Sequence, residues 1–237
     1  MTAIFRPTGV KKVASAAAAW YDEGMAKYPI YLELSGRRAV VVGGGAVAVR
    51  KVQALQEAGA RVIVVAEYVH PSHADALRLP NVELIISPYR KDYLAGSTLA
   101  IAATNDPALN EQIFHDCQEL EVLCNVVDKP ELCDFYTPAV VKRGDLQIAV
   151  CTEGDCPAYA GHIRRKLEEL FTETHGHFVK QLEKVRQQII MEIPDADQRK
   201  SLMGLLASDE SFEIFRHQGQ QKWNAYVLAQ LAGSKTA

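Results

Sequence analysis

The stretch Arg38-Ala-Val-Val-Val-Gly-Gly-Gly-Ala-Val-Ala-Val-Arg-Lys51 joins a short apolar run to three glycines and then to a helical pattern. It reads as a strand, a phosphate-binding turn and a helix N-terminus. Residues 39–42 form a continuous β-prone run, and Val49, Val52 and Leu55 recur at helical spacing behind the glycines. In the spacing Gly43-x-Gly45-x-x-Ala48, the first glycine permits a tight turn and the second lets the backbone approach a pyrophosphate. The small Ala48 lets helix pack on strand. The helix start then offers free N–H groups and a partial positive charge to the anion.

A second apolar run, Arg61-Val-Ile-Val-Val65, follows Ala58-Gly59-Ala60 and leads into Glu67. That acid lies about 20 residues beyond the loop, where a dinucleotide-binding fold sets a carboxylate against the adenosine ribose. Glu67 would accept hydrogen bonds from a ribose diol and repel a 2′-phosphate, which favours NAD over NADP. The plainer readings are a glycine turn without a nucleotide and a solvated acid at Glu67.

Further along, the pattern alternates. A strand-like lead-in at 28–34 precedes the glycine-loop strand, a helix is predicted over 46–58, and strands over 61–65 and 82–86, with a helix over 70–79 between them. Leu99-Ala-Ile-Ala-Ala103 is small and apolar enough for a strand buried on both faces. Thr104-Asn105-Asp106-Pro107 suits a turn and the N-cap of a helix over 108–120, and 122–127 reads as another strand. Such alternation implies a parallel sheet with right-handed crossovers and a ligand outside the strand C-terminal ends, where Gly43, Glu67, Thr104 and Asp128 are expected to converge. From 135 the pattern changes to two strands around Gly144-Asp145, then a helix opened by Pro157, then helical stretches over 173–193, 198–206 and 212–231. The fold class is therefore α/β, a Rossmann domain with a parallel sheet followed by a small helical module.

With 237 residues, 48% of them hydrophobic, the chain can bury a sizeable core. A net charge of −3 argues against a protein built to neutralise nucleic-acid phosphates, and no run reaches the roughly 18 apolar residues of a membrane helix. Residues 1–27 carry Arg6, Lys11 and Lys12 before a short apolar patch and read as a cytoplasmic extension, not a signal peptide. Cys117, Cys124, Cys133, Cys151 and Cys156 form no C-x-x-C pair and match no familiar zinc spacing, so buried or idle thiols are expected and no metal site is assigned. His175 and His177, two apart, do not share a helix face, and His115 reads as structural.

Taken together, five blocks resemble the precorrin-2 dehydrogenase family, including the N-terminal module of siroheme synthase. They are Tyr28-Pro-Ile-Tyr-Leu-Glu-Leu34, Val42-Gly-Gly-Gly-Ala-Val-Ala-Val-Arg-Lys51, Ala100-Ile-Ala-Ala-Thr-Asn-Asp106, Cys124-Asn-Val-Val-Asp128 and Asp134-Phe-Tyr-Thr-Pro138, in the family's order across residues 28–170. The resemblance implies an NAD-binding Rossmann domain over 28–137, a dimerisation segment over 138–170 and a helical module over 171–237. It implies oxidation of precorrin-2 to sirohydrochlorin with NAD by a homodimer; a second reading adds insertion of ferrous iron or cobalt, as in some members, with Asp128 helping to remove pyrrole protons. A non-catalytic NAD-sensing regulator is a third reading, and it would want a basic recognition helix that the sequence does not show.

By position, the resemblance sets NAD contacts at Gly43, Gly44, Gly45, Ala46 and Val47, at Glu67 and Tyr68, and at Thr104. Asp128 matches the family's acid, and a carboxylate at a strand end near the nicotinamide could accept a proton; a turn cap before Lys129-Pro130 is the alternative. For the many carboxylates of the tetrapyrrole substrate, the expected contacts are Arg143, Thr152, His162 and Arg164, with Arg165 nearby. One departure stands out. Where the family usually has a Ser-Thr-Gly-Gly-x-Ser-Pro loop, this chain has Cys151-Thr-Glu-Gly-Asp-Cys-Pro157.

Overall fold

A computed structural model describes residues 27–234. The expected extension over 1–27 thus falls, apart from Lys27, outside the described residues. The chain divides into two compact units at Leu123 and Cys124.

The chain's five-stranded sheet has the order β3-β2-β1-β4-β5; its first four strands in sequence lie in the first unit, and β5 starts at that unit's last residue. Its strands are β1 (Arg38–Val42), β2 (Arg61–Ala66), β3 (Val82–Ile86), β4 (Leu99–Ala102) and β5 (Leu123–Val126). Strand β1 lies parallel between β2 and β4, with Val42 opposite Val65 on one side and Ala102 on the other. Ala39 to Val42 and all of β4 are buried, as strands covered on both faces require. Helix α1 (Ala46–Glu57) returns the chain from β1 to β2, burying Ala48, Val49, Val52 and Leu55 at helical spacing. Helix α3 (Pro107–Glu119) follows β4, with Pro107 in its first turn and Asp106 as N-cap.

Two expectations are corrected. The helix predicted over 70–79 is only α2 (Pro71–Ala74) followed by a 3-10 turn (Asp75–Leu77). Leu77 is the one buried side chain in these two pieces, so a longer helix would have had little apolar face to hold it. The lead-in 28–34 is not a strand, and Tyr28 and Tyr31 are exposed. Both ladder sides of β1 are already taken by β2 and β4, so the lead-in has no place beside the strand it precedes.

In the second unit, β6 (Ala139–Arg143) and β7 (Leu146–Val150) form an antiparallel pair joined at Gly144, which has φ +58°. Helices α4 (Pro157–Leu170), α5 (Glu173–Glu192), α6 (Ala196–Leu206) and α7 (Asp209–Ser234) follow, α7 being kinked at Gly219. Gly176 of α5 lies against the hairpin so closely that a Cβ there would sit 2.3 Å from the Arg143 carbonyl oxygen. The helical core gathers Phe178, Val185, Ile189, Leu202, Leu206, Trp223, Val227 and Leu231. Trp223 is buried and donates its indole N–H to the equally buried Ser211 hydroxyl at 2.8 Å, which satisfies both polar groups.

Candidate functional site

At the C-terminal ends of β1, β2 and β4 the first unit opens a cleft of about 570 Å³, lined by residues that include Gly43, Gly44, Gly45, Glu67, Tyr68 and Thr104. The three glycines do different work. Gly43, at φ +130°, is pressed so closely on the next strand that a Cβ would lie 2.3 Å from the Ala103 carbonyl oxygen. Gly44 meets the Tyr68 carbonyl oxygen at 2.4 Å in the same sense. A Cβ on Gly45 would meet nothing within 4 Å. The first two glycines are required by packing, whereas the third borders open space.

Gly45 is also the N-cap of α1, with no side-chain hydrogen bond to the helix start and no acid in the first turn. Ala46 is exposed and Val47 half-buried, and the N–H groups of this first turn have no intrahelical acceptors. Bare main chain, uncapped donors and an adjoining void are what a pyrophosphate needs. The residues present fit a dinucleotide.

Glu67, Tyr68 and His70 follow β2 and are exposed at the cleft wall, which the half-buried His73 also lines. His70 is held as the N-cap of α2, its Nδ1 accepting from the Ser72 N–H at 3.2 Å. Across the cleft, Thr104 belongs to a network that fixes the turn between β4 and α3. Its hydroxyl donates to Asn110 Oδ1 at 2.7 Å, the Asn110 amide returns a bond to the Thr104 carbonyl at 3.1 Å, and the Asp106 N–H donates to Thr104 Oγ1 at 3.2 Å. Asp106 in turn caps α3 through bonds to the N–H groups of Ala108 and Leu109. Asn110 is buried and was not singled out by sequence; a polar residue amid a helix's apolar positions is the only signal that points to it.

Away from the cleft, Lys91 is held above its ordinary pKa range by its hydrogen bond to Glu119, and Glu119 below its own by the same bond. Neither lines the cleft.

In the second unit, Asp128 is exposed and sits at φ +60°, inside a turn closed by the Lys129 N–H donating to the Val126 carbonyl at 3.3 Å. Aspartate is among the few residues that tolerate this left-handed backbone. Arg143 spends three donors on main chain: Nε on the Phe171 carbonyl at 2.8 Å, and the terminal nitrogens on Glu168 at 3.3 Å and Lys142 at 3.0 Å. It thereby satisfies carbonyls at the end of α4, with Glu173 at 3.5 Å as its ionic partner. Arg164 pairs with Glu168 one turn along α4. His162 is exposed and stacks on Tyr159 with ring centroids 6.1 Å apart. Thr152 accepts a bond from the Cys156 N–H at 3.3 Å. His175 serves α5 structurally, accepting from the Thr172 N–H at 3.1 Å and stacking on Phe212 at 4.2 Å.

Cys117 and Cys124 are buried and Cys133 is half-buried, while Cys151 and Cys156 are exposed. By burial, the expectation of buried thiols fits Cys117 and Cys124. No helix among the described residues is long and apolar enough to cross a membrane.

The family model described as NAD(P)-binding matches residues 30–139, and the model described as sirohaem biosynthesis protein central matches residues 143–170. A siroheme synthase from Pseudomonas putida is 41% identical over 172 residues, 73% of this chain and 37% of that protein. One from Psychrobacter arcticus is 36% identical over 176 residues, 74% of this chain and 32% of its own length. The chain therefore spans well under half the length of these relatives. A solved structure described as SirC, precorrin-2 dehydrogenase, superposes with a TM-score of 0.70 at 22% identity, covering 89% of this chain and 100% of its own, which shows a shared fold. The glycine cleft, the two matched models in sequence and these relatives lead to one conclusion: the chain belongs to the siroheme synthase family, in the part of it that carries the NAD(P)-binding and central modules.

Proposed function

We propose that the chain is an NAD-dependent dehydrogenase that oxidises precorrin-2 to sirohydrochlorin. The observation that carries this reading is Gly45: alone among the loop glycines it faces open space, at an uncapped helix start, in a chain of siroheme synthase ancestry. The main chain from Gly43 to Val47 would hold the pyrophosphate, Glu67 the adenosine ribose diol, and Tyr68 and Thr104 the walls on either side. The choice of NAD over NADP rests on the Glu67 carboxylate, which a 2′-phosphate would meet with like charge. When bound, the nicotinamide supplies the acceptor for the two-electron oxidation.

Asp128 is proposed to take the proton released from the macrocycle as it is oxidised. Its support is the family position and an exposed carboxylate held by a turn that few other residues tolerate. Thr152, His162 and Arg164 are proposed to meet substrate carboxylates, and so is the outward edge of Arg143. The reading also includes a homodimer joined through 138–170, helical and nucleotide domains divided as in the family, and a cytoplasmic location. Sedimentation at low micromolar concentration showing only a 26.2 kDa species would remove the dimer.

The test is turnover. Purified chain given precorrin-2 and NAD should yield reduced nicotinamide and sirohydrochlorin together, and neither without the other reactant. A chain that binds NAD yet leaves precorrin-2 unchanged would overturn the proposal.

A further inference from the structure

Three of the five thiols have structural surroundings. Cys117 and Cys124 are buried, and Cys133 donates to the carbonyls of Val126 and Lys129 at 3.3 and 3.2 Å. The other two, Cys151 and Cys156, are exposed and flank a single tight turn. Within it Glu153 and Gly154 both have positive φ, +53° and +94°, the pattern of the primed two-residue turns that close hairpins. The Asp155 N–H donates to the Thr152 carbonyl at 2.9 Å, and the Cys156 N–H donates to Thr152 Oγ1 at 3.3 Å. No strand ladder pairs the two cysteines, so their closeness rests on the turn itself: a β-turn brings its first and fourth Cα atoms within about 7 Å, and Cys151 and Cys156 adjoin those two residues. A disulfide spans about 4.4 to 6.8 Å.

We propose that Cys151 and Cys156 form a reversible dithiol site that takes a low-molecular-weight disulfide as its oxidant and closes to an intramolecular disulfide across the 152–155 turn. One thiolate attacks a sulfur of the small disulfide, making a mixed disulfide and releasing one thiol. The second thiolate attacks the protein sulfur of that bond and displaces the second thiol. The protein loses two electrons and its two thiol protons, and the small disulfide is reduced to two thiols. A glutamate held at φ +53° costs backbone energy, and the turn it maintains is the one that the two thiols flank. The dithiol rests on the turn and not on the function proposed above, although that turn includes Thr152, proposed there as a substrate contact.

The test uses the whole chain, reduced, freed of reductant and incubated folded with oxidised glutathione, then alkylated in denaturant and cleaved at lysine and arginine. The fragment from Gly144 to Arg164 holds both cysteines and no other. It should be recovered unalkylated and lighter by about 2 Da, the mass of the two hydrogens lost, while Cys117, Cys124 and Cys133 are alkylated. Dithiothreitol should restore both alkylation sites. In Cys156→Ser the reaction should stop at a glutathione adduct on Cys151. Recovery of the wild-type fragment doubly alkylated, or with a separate glutathione on each cysteine, overturns the proposal. So does a Cys156→Ser chain whose Cys151 pairs with another protein cysteine.

Discussion

In the half up to Leu123 the candidate site is built largely of main chain. Gly43 and Gly44 bring the backbone against Ala103 and Tyr68, and Gly45 leaves the uncapped start of α1 facing a void. In the half from Cys124 onward the candidate groups are side chains, and most have structural partners as well: Arg143 on three carbonyls, Arg164 on Glu168, His162 on Tyr159. Main-chain chemistry depends on the absence of side chains and is broken by adding atoms. Side-chain chemistry depends on their presence and is broken by removing them.

The comparison breaks most sharply at the glycines. Gly45→Val should abolish measurable NAD binding while leaving the fold intact, because its side chain enters the space a pyrophosphate would fill. Gly43→Ala should instead lose the fold, since its Cβ would collide with the Ala103 carbonyl oxygen at a φ that alanine rarely adopts. Calorimetric titration beside thermal melts separates the two. A folded Gly45→Val chain with wild-type NAD affinity would show the cradle has been misread.

In the other half, Trp223→Ala should destabilise by about 3–5 kcal/mol, the cost of emptying a large aromatic site, and it also leaves Ser211 without its partner. Denaturant unfolding gives the number. If the contrast between halves holds, NAD affinity at temperatures where the variant stays folded should change little. The smallest effect belongs to Glu67→Gln, which should narrow the preference for NAD over NADP by roughly tenfold, about 1.4 kcal/mol, by removing the charge that opposes a 2′-phosphate. An unchanged ratio in competitive titrations would make Glu67 a solvated surface acid.

How much of this could be read from sequence follows the same division. The glycine loop, its flanking strand and helix, and the acid after β2 were legible because each residue type answers a local demand of backbone or charge. Asn110 was not. Its importance lies in a return bond to the Thr104 carbonyl, and only the approach of α3 to the end of β4 reveals it. The lead-in at 28–34 misled because a β-prone composition says nothing of whether a strand edge is free beside it. Arg143 was legible as a cation but not as the group that satisfies the end of α4, since the carbonyls it meets lie 25 and 28 residues away in the chain.

The central claim is that the first half holds the nucleotide by its main chain while a side chain of the second half, Asp128, moves the proton. Asp128→Asn is the fair variant, because asparagine tolerates the same left-handed backbone and keeps the size but cannot act as the base. Single-turnover oxidation of precorrin-2 by this variant, with NAD affinity measured in parallel, should show a rate lowered by roughly 10²- to 10⁴-fold at nearly unchanged NAD binding. A rate within a few-fold of wild type would contradict the account and leave Asp128 as a turn residue.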